Sequence, residues 1–139
     1  MPKTIFITRR IPEIGIKMLQ EKGYVVDVSS EVEPPTQKQI IKSLKKKPYD
    51  AVVTLPTDPI DAKVFDVVPS AKIFANYAVG FDNFNITDAK QRGIVVTNTA
   101  GSSTCCVAEH AMALILALST RLVEGDRFMR SGIAHRNCA

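Results

Sequence analysis

The chain has 139 residues, 45% hydrophobic and 23% charged, the composition of a single globular domain with enough bulk for a core. This excludes a disordered, collagen-like or disulfide-built chain, and three cysteines, two of them adjacent at Cys105 and Cys106, fit a reducing, cytoplasmic setting. The formal net charge of +4 arises in the first 50 residues, where 10 Lys/Arg face 6 Asp/Glu.

The densest basic cluster, Lys42, Lys45, Lys46 and Lys47, closes a predicted helix, where cations complement the dipole. No aromatic residues interleave with it to stack bases, so no nucleic-acid partner is expected. No charged start leads into a secretory apolar stretch. The longest apolar run, Ala111 to Leu118, is far short of the roughly 18 residues of a membrane span, and no membrane partner is expected.

In chain order, Ile5-Phe6-Ile7 is a short β-branched strand. Pro12 opens a helix with apolar Ile14, Ile16, Met18 and Leu19, which Lys22-Gly23 closes. Tyr24 to Val28 is the second strand. After Pro34-Pro35, Thr36 is a candidate N-cap for a helix over Gln37 to Lys46, and Pro48 follows it. Ala51 to Leu55 is the third strand, Asp61 to Val67 a short helix, and Lys72 to Asn76 the fourth strand. Phe84 to Arg92 is a helix closed by Gly93, and Ile94 to Thr97 is the fifth strand. Strands alternating with helices imply parallel βαβ units. Strands two to five read as apolar on both faces, as when helices cover both sides.

From Thr104 to about Ser131 the pattern predicts one long helix, roughly 40 Å at 1.5 Å per residue. Its first half, Val107, Ala108 and Ala111 to Leu118, is apolar almost all round, which implies burial on every side. Such a helix joins two bodies or packs on a second subunit.

Several chemistries are excluded. The seven glycines form no GxGxxG or GxxxxGK[ST] fingerprint. Thr8-Arg9-Arg10 and Thr54-Leu55 stand where a phosphoacceptor receiver needs acidic residues. Arg9-Arg10-Ile11-Pro12 is no flavin phosphate loop. Glu109 and His110 are neighbours on a helix, pointing about 100° apart, and read as a packed or capping pair. Cys105 and Cys106, with Cys138 distant, lack metal-site spacing and read as buried, inert thiols near a helix start, so no metal site and no catalytic residue is assigned.

Two loops remain. Asn76 to Asn83 follows the fourth strand, at the carboxyl ends where open parallel sheets bind ligands. Backbone N–H groups around Gly80 would cradle a carboxylate there, or the segment is an ordinary strand-to-helix turn. Thr97 to Thr104 feeds the N-terminus of the long helix, an end that either binds an anion or is capped by Ser103 or Thr104.

Asn76-Tyr77-Ala78-Val79-Gly80-Phe81-Asp82-Asn83, then Arg92-Gly93-Ile94-Val95-Val96-Thr97-Asn98-Thr99, then Val107-Ala108-Glu109-His110 resemble the D-isomer-specific 2-hydroxyacid dehydrogenases, in particular the glyoxylate/hydroxypyruvate reductase branch. Lys3 to Arg10 and Leu55 to Asp61 share the likeness, which runs over residues 1 to 132.

The resemblance implies a flavodoxin-like substrate domain over 1–103: a five-stranded parallel sheet with helices on both faces. It implies an interdomain and dimerisation helix over 104–131 and a divergent tail over 132–139. The family's NAD- or NADP-binding Rossmann domain, its Arg and its Glu–His pair fall beyond this sequence. Tight cofactor binding by this chain alone is therefore not expected. It also implies substrate contacts at Leu55, Asn76, Tyr77, Val79 and Gly80, and a cofactor contact at Thr104. The implied partners are a weakly held small 2-oxo acid and a second subunit docked on Val107 to Leu118.

Ala100-Gly101 replaces the family's Pro-Gly, Cys105-Cys106 replace an acidic residue, and 133–139 diverge. The abrupt divergence of the tail suggests a truncated or frame-shifted product or a deliberate fragment. The expected function is the N-terminal substrate-domain part of an NAD(P)-dependent dehydrogenase, inactive alone. The alternative is a non-catalytic module that dimerises through the long helix.

Overall fold

The computed structural model describes residues 2–132; the divergence expected over 133–139, Cys138 included, lies outside them. Five strands form one parallel sheet: β1 (Thr4–Ile7), β2 (Val25–Val28), β3 (Ala51–Thr54), β4 (Ile73–Asn76) and β5 (Val95–Thr97). Their order is β2-β1-β3-β4-β5, the flavodoxin-like arrangement. The helices are α1 (Glu13–Glu21), α2 (Gln37–Leu44), α3 (Ala62–Asp66), α4 (Ile86–Gln91), α5 (Thr104–Ser119) and α6 (Leu122–Arg130). Thr36 caps α2, as the sequence suggests, and does so in a reciprocal box with Gln39.

Side chains alternate across each strand. Phe6, Val52 and Phe74 join the core with Ile40 and Leu44 of α2, Val64 and Phe65 of α3, and Ala89 of α4. Phe74 meets Phe65 edge-on at 5.0 Å and Phe84 at 6.3 Å, pinning the chain where the loop after β4 ends. On the opposite face Ile5, Ile7 and α1's Ile16 are buried, but coverage is unequal. Val25 is 44%, Ile73 36% and Val95 55% exposed, so the two-sided burial read from the sequence does not hold at β2, β4 and β5.

The chain divides into two compact units between Ala100 and Gly101. In the second, the single long helix expected from the sequence is two helices, α5 and α6, bent by 60°. The break has a local cause. The hydroxyls of Ser119 and Thr120 both bond back to the Leu116 carbonyl, at 3.0 and 2.8 Å, beside the Thr120 N–H that bonds it at 3.0 Å, a back-bonding that bends helices. Arg121 then adopts a left-handed conformation, φ 51°, and its guanidinium pairs with Glu124. Neither helix buries a residue. Cys105 and Cys106, expected buried, are exposed free thiols, and Glu109 and His110 are exposed too. No single helix among the described residues is long and apolar enough to cross a membrane.

Candidate anion-binding site at the carboxyl ends of the strands

Parallel strands deliver their carboxyl ends to one edge of the sheet. The loop after β3 (55–59) and the loop after β4 (77–83) therefore start side by side, since Thr54 is in register with Asn76. Thr54 and Asn76 are buried, and the Thr54 hydroxyl donates to Asn76 Oδ1 at 3.0 Å. Asn76 Nδ2 donates to the Gly80 carbonyl at 2.9 Å and to Asn83 Oδ1 at 3.0 Å. Asn83 Nδ2 crosses to the other loop, donating to the Leu55 carbonyl at 3.1 Å and the Asp58 carbonyl at 3.0 Å.

The β3 loop has its own anchor. Asp58 is fully buried, and its Oδ2 accepts from the Thr8 hydroxyl at 2.5 Å and from the Leu55 N–H at 2.8 Å. Its Oδ1 is buried without a partner. Arg9 donates to the Thr57 hydroxyl at 3.1 Å, placing a cation on the same loop. The β1 and β3 ends flank the reversal of strand order, where ligands bind in open α/β sheets. Here those ends are stitched together, and the β4 loop remains the open one.

In that loop the carbonyls and the amides are treated differently. The Ala78 carbonyl accepts from Thr99 N–H at 2.8 Å, the Val79 carbonyl from Asn98 Nδ2 at 2.7 Å, and the Gly80 carbonyl from Asn76. The N–H groups of Val79 and Gly80 donate to nothing among the described residues. Both residues are exposed, so the loop presents two adjacent free donors with its acceptors already occupied. That is the chemistry of an anion cradle.

Gly80 is not in the left-handed region, and a Cβ there would meet an Asp82 carboxylate oxygen only at 3.4 Å. The fold itself does not demand glycine at this position. Asp82 is a negative charge at the rim.

Of the residues singled out from sequence, Asn76, Val79 and Gly80 come together here. Leu55 joins them through its carbonyl, because its N–H is taken by Asp58. Tyr77 donates its N–H to the Thr54 carbonyl at 2.8 Å, and its ring is exposed. Thr104 belongs to the second unit, at the start of α5, whose N-terminus has no side-chain cap. The sequence reading missed Thr8, Asp58, Asn83 and Asn98. Asn83 and Asn98 lie inside the two loops it selected, but their partners are distant in the chain.

No glycine-rich turn follows a strand among the described residues, and one exposed threonine does not hold a dinucleotide. The residues present do not by themselves fit NAD or NADP.

A family model for the catalytic domain of the D-isomer specific 2-hydroxyacid dehydrogenases matches residues 5–133. The chain belongs to that family. Within it, glyoxylate reductases of Korarchaeum cryptofilum and Pyrococcus horikoshii are 45% and 47% identical over 132 residues, 95% of this chain. The chain spans 39% of the length of these curated relatives. Among solved structures, the TT0316 protein of Thermus thermophilus matches with a TM-score of 0.78 at 32% identity, over 94% of this chain and 41% of that one. The D-lactate dehydrogenase of Aquifex aeolicus, complexed with NAD and lactic acid, shares the fold with a TM-score of 0.68 at 23% identity, over 99% of this chain and 38% of that one.

Proposed function

We propose that this chain is the substrate-binding part of an NAD(P)-dependent dehydrogenase that interconverts a small 2-oxo acid, such as glyoxylate or hydroxypyruvate, with its 2-hydroxy acid. The observation that carries this reading is the free N–H pair of Val79 and Gly80. Two adjacent free donors hold a carboxylate without a cation, and the carbonyls beside them are already bonded. Leu55, on the neighbouring loop, and Tyr77 line the approach. The glyoxylate reductases matched by sequence support the substrate class.

The chain's own chemical contribution is to bind and orient the carboxylate, which fixes where C2 of the acid lies. The nicotinamide cofactor supplies the hydride chemistry. The described residues form no cofactor cradle, so the 139-residue chain alone is inactive. A direct test joins residues 1–132 to the remainder of a curated glyoxylate reductase relative. The chimaera should oxidise NADH or NADPH with glyoxylate, and the 139-residue chain should not. Turnover by the chain alone, or a folded chimaera with no turnover, rejects the reading.

A second reading, a module that pairs through α5, has its own observation. Met112, Leu114, Ile115 and Leu118 are all more than half exposed, an apolar surface of the kind that marks an interface.

A further inference from the structure

We propose that Asn83 is the positioning residue of the carboxylate site: it locks the β3 loop and the β4 loop into one body, with the Val79–Gly80 donors on its surface. The proposal rests on the proposed function and extends it to a residue that touches no substrate.

Only one orientation of the amides satisfies the network. Asn83 faces two carbonyl oxygens, those of Leu55 and Asp58, so its NH₂ group must point to them. Its Oδ1 then accepts, which obliges Asn76 to present Nδ2 to it and to the Gly80 carbonyl. Asn76 Oδ1 is left to accept from Thr54. Both amides use both of their donor hydrogens, and each oxygen has a donor. The backbone repeats the link, since Ile60 N–H donates to the Asn83 carbonyl and Asn85 N–H to the Ile60 carbonyl, each at 2.9 Å.

The consequence concerns the Gly80–Phe81 peptide group, which directly follows the one that carries the free Gly80 N–H. Its carbonyl is held by Asn76, and Asn76 is held in that orientation by Asn83. A change at Asn83 therefore reaches the free donors through two hydrogen bonds, while Leu55, 28 residues away in sequence, is released at the same time. A local turn would not join those two events.

Asn83→Asp tests this. The shape is kept, but two donors become acceptors facing two carbonyls. An Ala89→Gly variant in α4 serves as a control that loosens the fold without touching either loop. In the free proteins, ¹⁵N relaxation should show residues 55–58 and 79–80 becoming mobile together in Asn83→Asp and unchanged in Ala89→Gly. Oxalate binding, followed at the Val79 and Gly80 amides, should weaken at least tenfold in the first and less than twofold in the second.

Rigid loops and unchanged affinity in a folded Asn83→Asp overturn the proposal. So does mobility confined to one loop. If that variant does not fold, the unmodified chain decides. The Asn83 side-chain amide protons should exchange at least tenfold more slowly than those of exposed Asn85, and equal rates overturn the proposal. Failure of the unmodified chain to bind oxalate at all rejects the carboxylate reading, and the relaxation data still decide whether Asn83 couples the loops.

Discussion

The side-chain amide of Asn98 donates to the carbonyl of Val79 at 2.7 Å, tying the segment after β5 to the middle of the loop after β4. This bond fixes the Val79–Gly80 peptide plane. Removing it with Asn98→Ala should cost stability little, about 0.5–1.5 kcal/mol for one partly exposed hydrogen bond. It should weaken oxalate binding several-fold, because the Val79–Gly80 peptide plane, no longer held, can rotate the Gly80 N–H out of line. Urea unfolding and an amide titration on one sample check both halves.

Gly80→Ala separates folding from binding. The residue is outside the left-handed region, and a methyl there has room beside Asp82. Stability should change by less than about 1 kcal/mol, while the methyl narrows the approach to the two N–H donors and abolishes oxalate binding. Asp82→Asn should act in the opposite sense, tightening binding two- to five-fold by removing a like charge from the rim. Isothermal titration of the two variants beside the unmodified chain reads both effects.

Asp58→Ala should be among the most damaging single changes. It takes both bonds of the Asp58 carboxylate at once: the Leu55 N–H is stranded, which costs about 1–3 kcal/mol, and the Thr8 hydroxyl keeps only the longer bond to the Val53 carbonyl at 3.3 Å. Thr8→Val removes only one of these bonds and should cost less. The urea midpoints should order as unmodified, Thr8→Val, Asp58→Ala, and equal midpoints for the two variants would refute the anchor.

Stability should form a broad plateau in pH. Asp27 is lowered by its hydrogen bond to Lys47, Asp50 by its bond to Lys3 and Asp66 by its bond to Arg92. Lowered carboxylates contribute fully above their ordinary value of 3.8 and lose that contribution as pH falls through the depressed values. Tyr49, buried and donating to Asp27 at 3.1 Å, is pushed up to about 12, chiefly by burial. Its contribution is complete below about pH 10 and disappears as pH rises through 12. Tyr49→Phe should remove the tyrosine's alkaline contribution and, by taking one donor from Asp27, only slightly weaken the acid arm, as read by circular dichroism against pH.

The exposed apolar surface of α5 gives an assembly test. Burying one leucine-sized side chain is worth roughly 1.5–3 kcal/mol, so several together drive association. The chain should sediment as a dimer or larger species at tens of micromolar, and Leu114→Glu with Leu118→Glu should shift it toward monomer. A stable, folded monomer of the unmodified chain would count against the pairing surface.

The sheet is legible in the sequence because its strands are short β-branched runs separated by proline- and glycine-marked helices. Thr36 is legible as a cap because its partner Gln39 is three residues on. The break at Arg121 is not, since no proline or glycine marks the left-handed conformation of Arg121 or the hydroxyls of Ser119 and Thr120 that bond back to Leu116. The exposure of Cys105 and Cys106 escapes the sequence because an all-round apolar helix reads as buried, and the described chain does not bury it. Val79 and Asn76 come from a resemblance and Gly80 also from its place after β4, whereas the bonds by which Asn76, Asn83 and Asn98 hold the loop cannot be read. Thr8 and Asp58 are 50 residues apart, and only folding makes them neighbours.

The central claim is that the Val79 and Gly80 amides bind a carboxylate. The most direct measurement is a ¹H–¹⁵N NMR titration of the 139-residue chain with glyoxylate and with oxalate. The expected result is saturable shifts that begin at these two amides, with a dissociation constant near millimolar, about 4 kcal/mol. Shifts confined to Lys42–Lys47, or no shift at Val79 and Gly80 at tens of millimolar ligand, would contradict it.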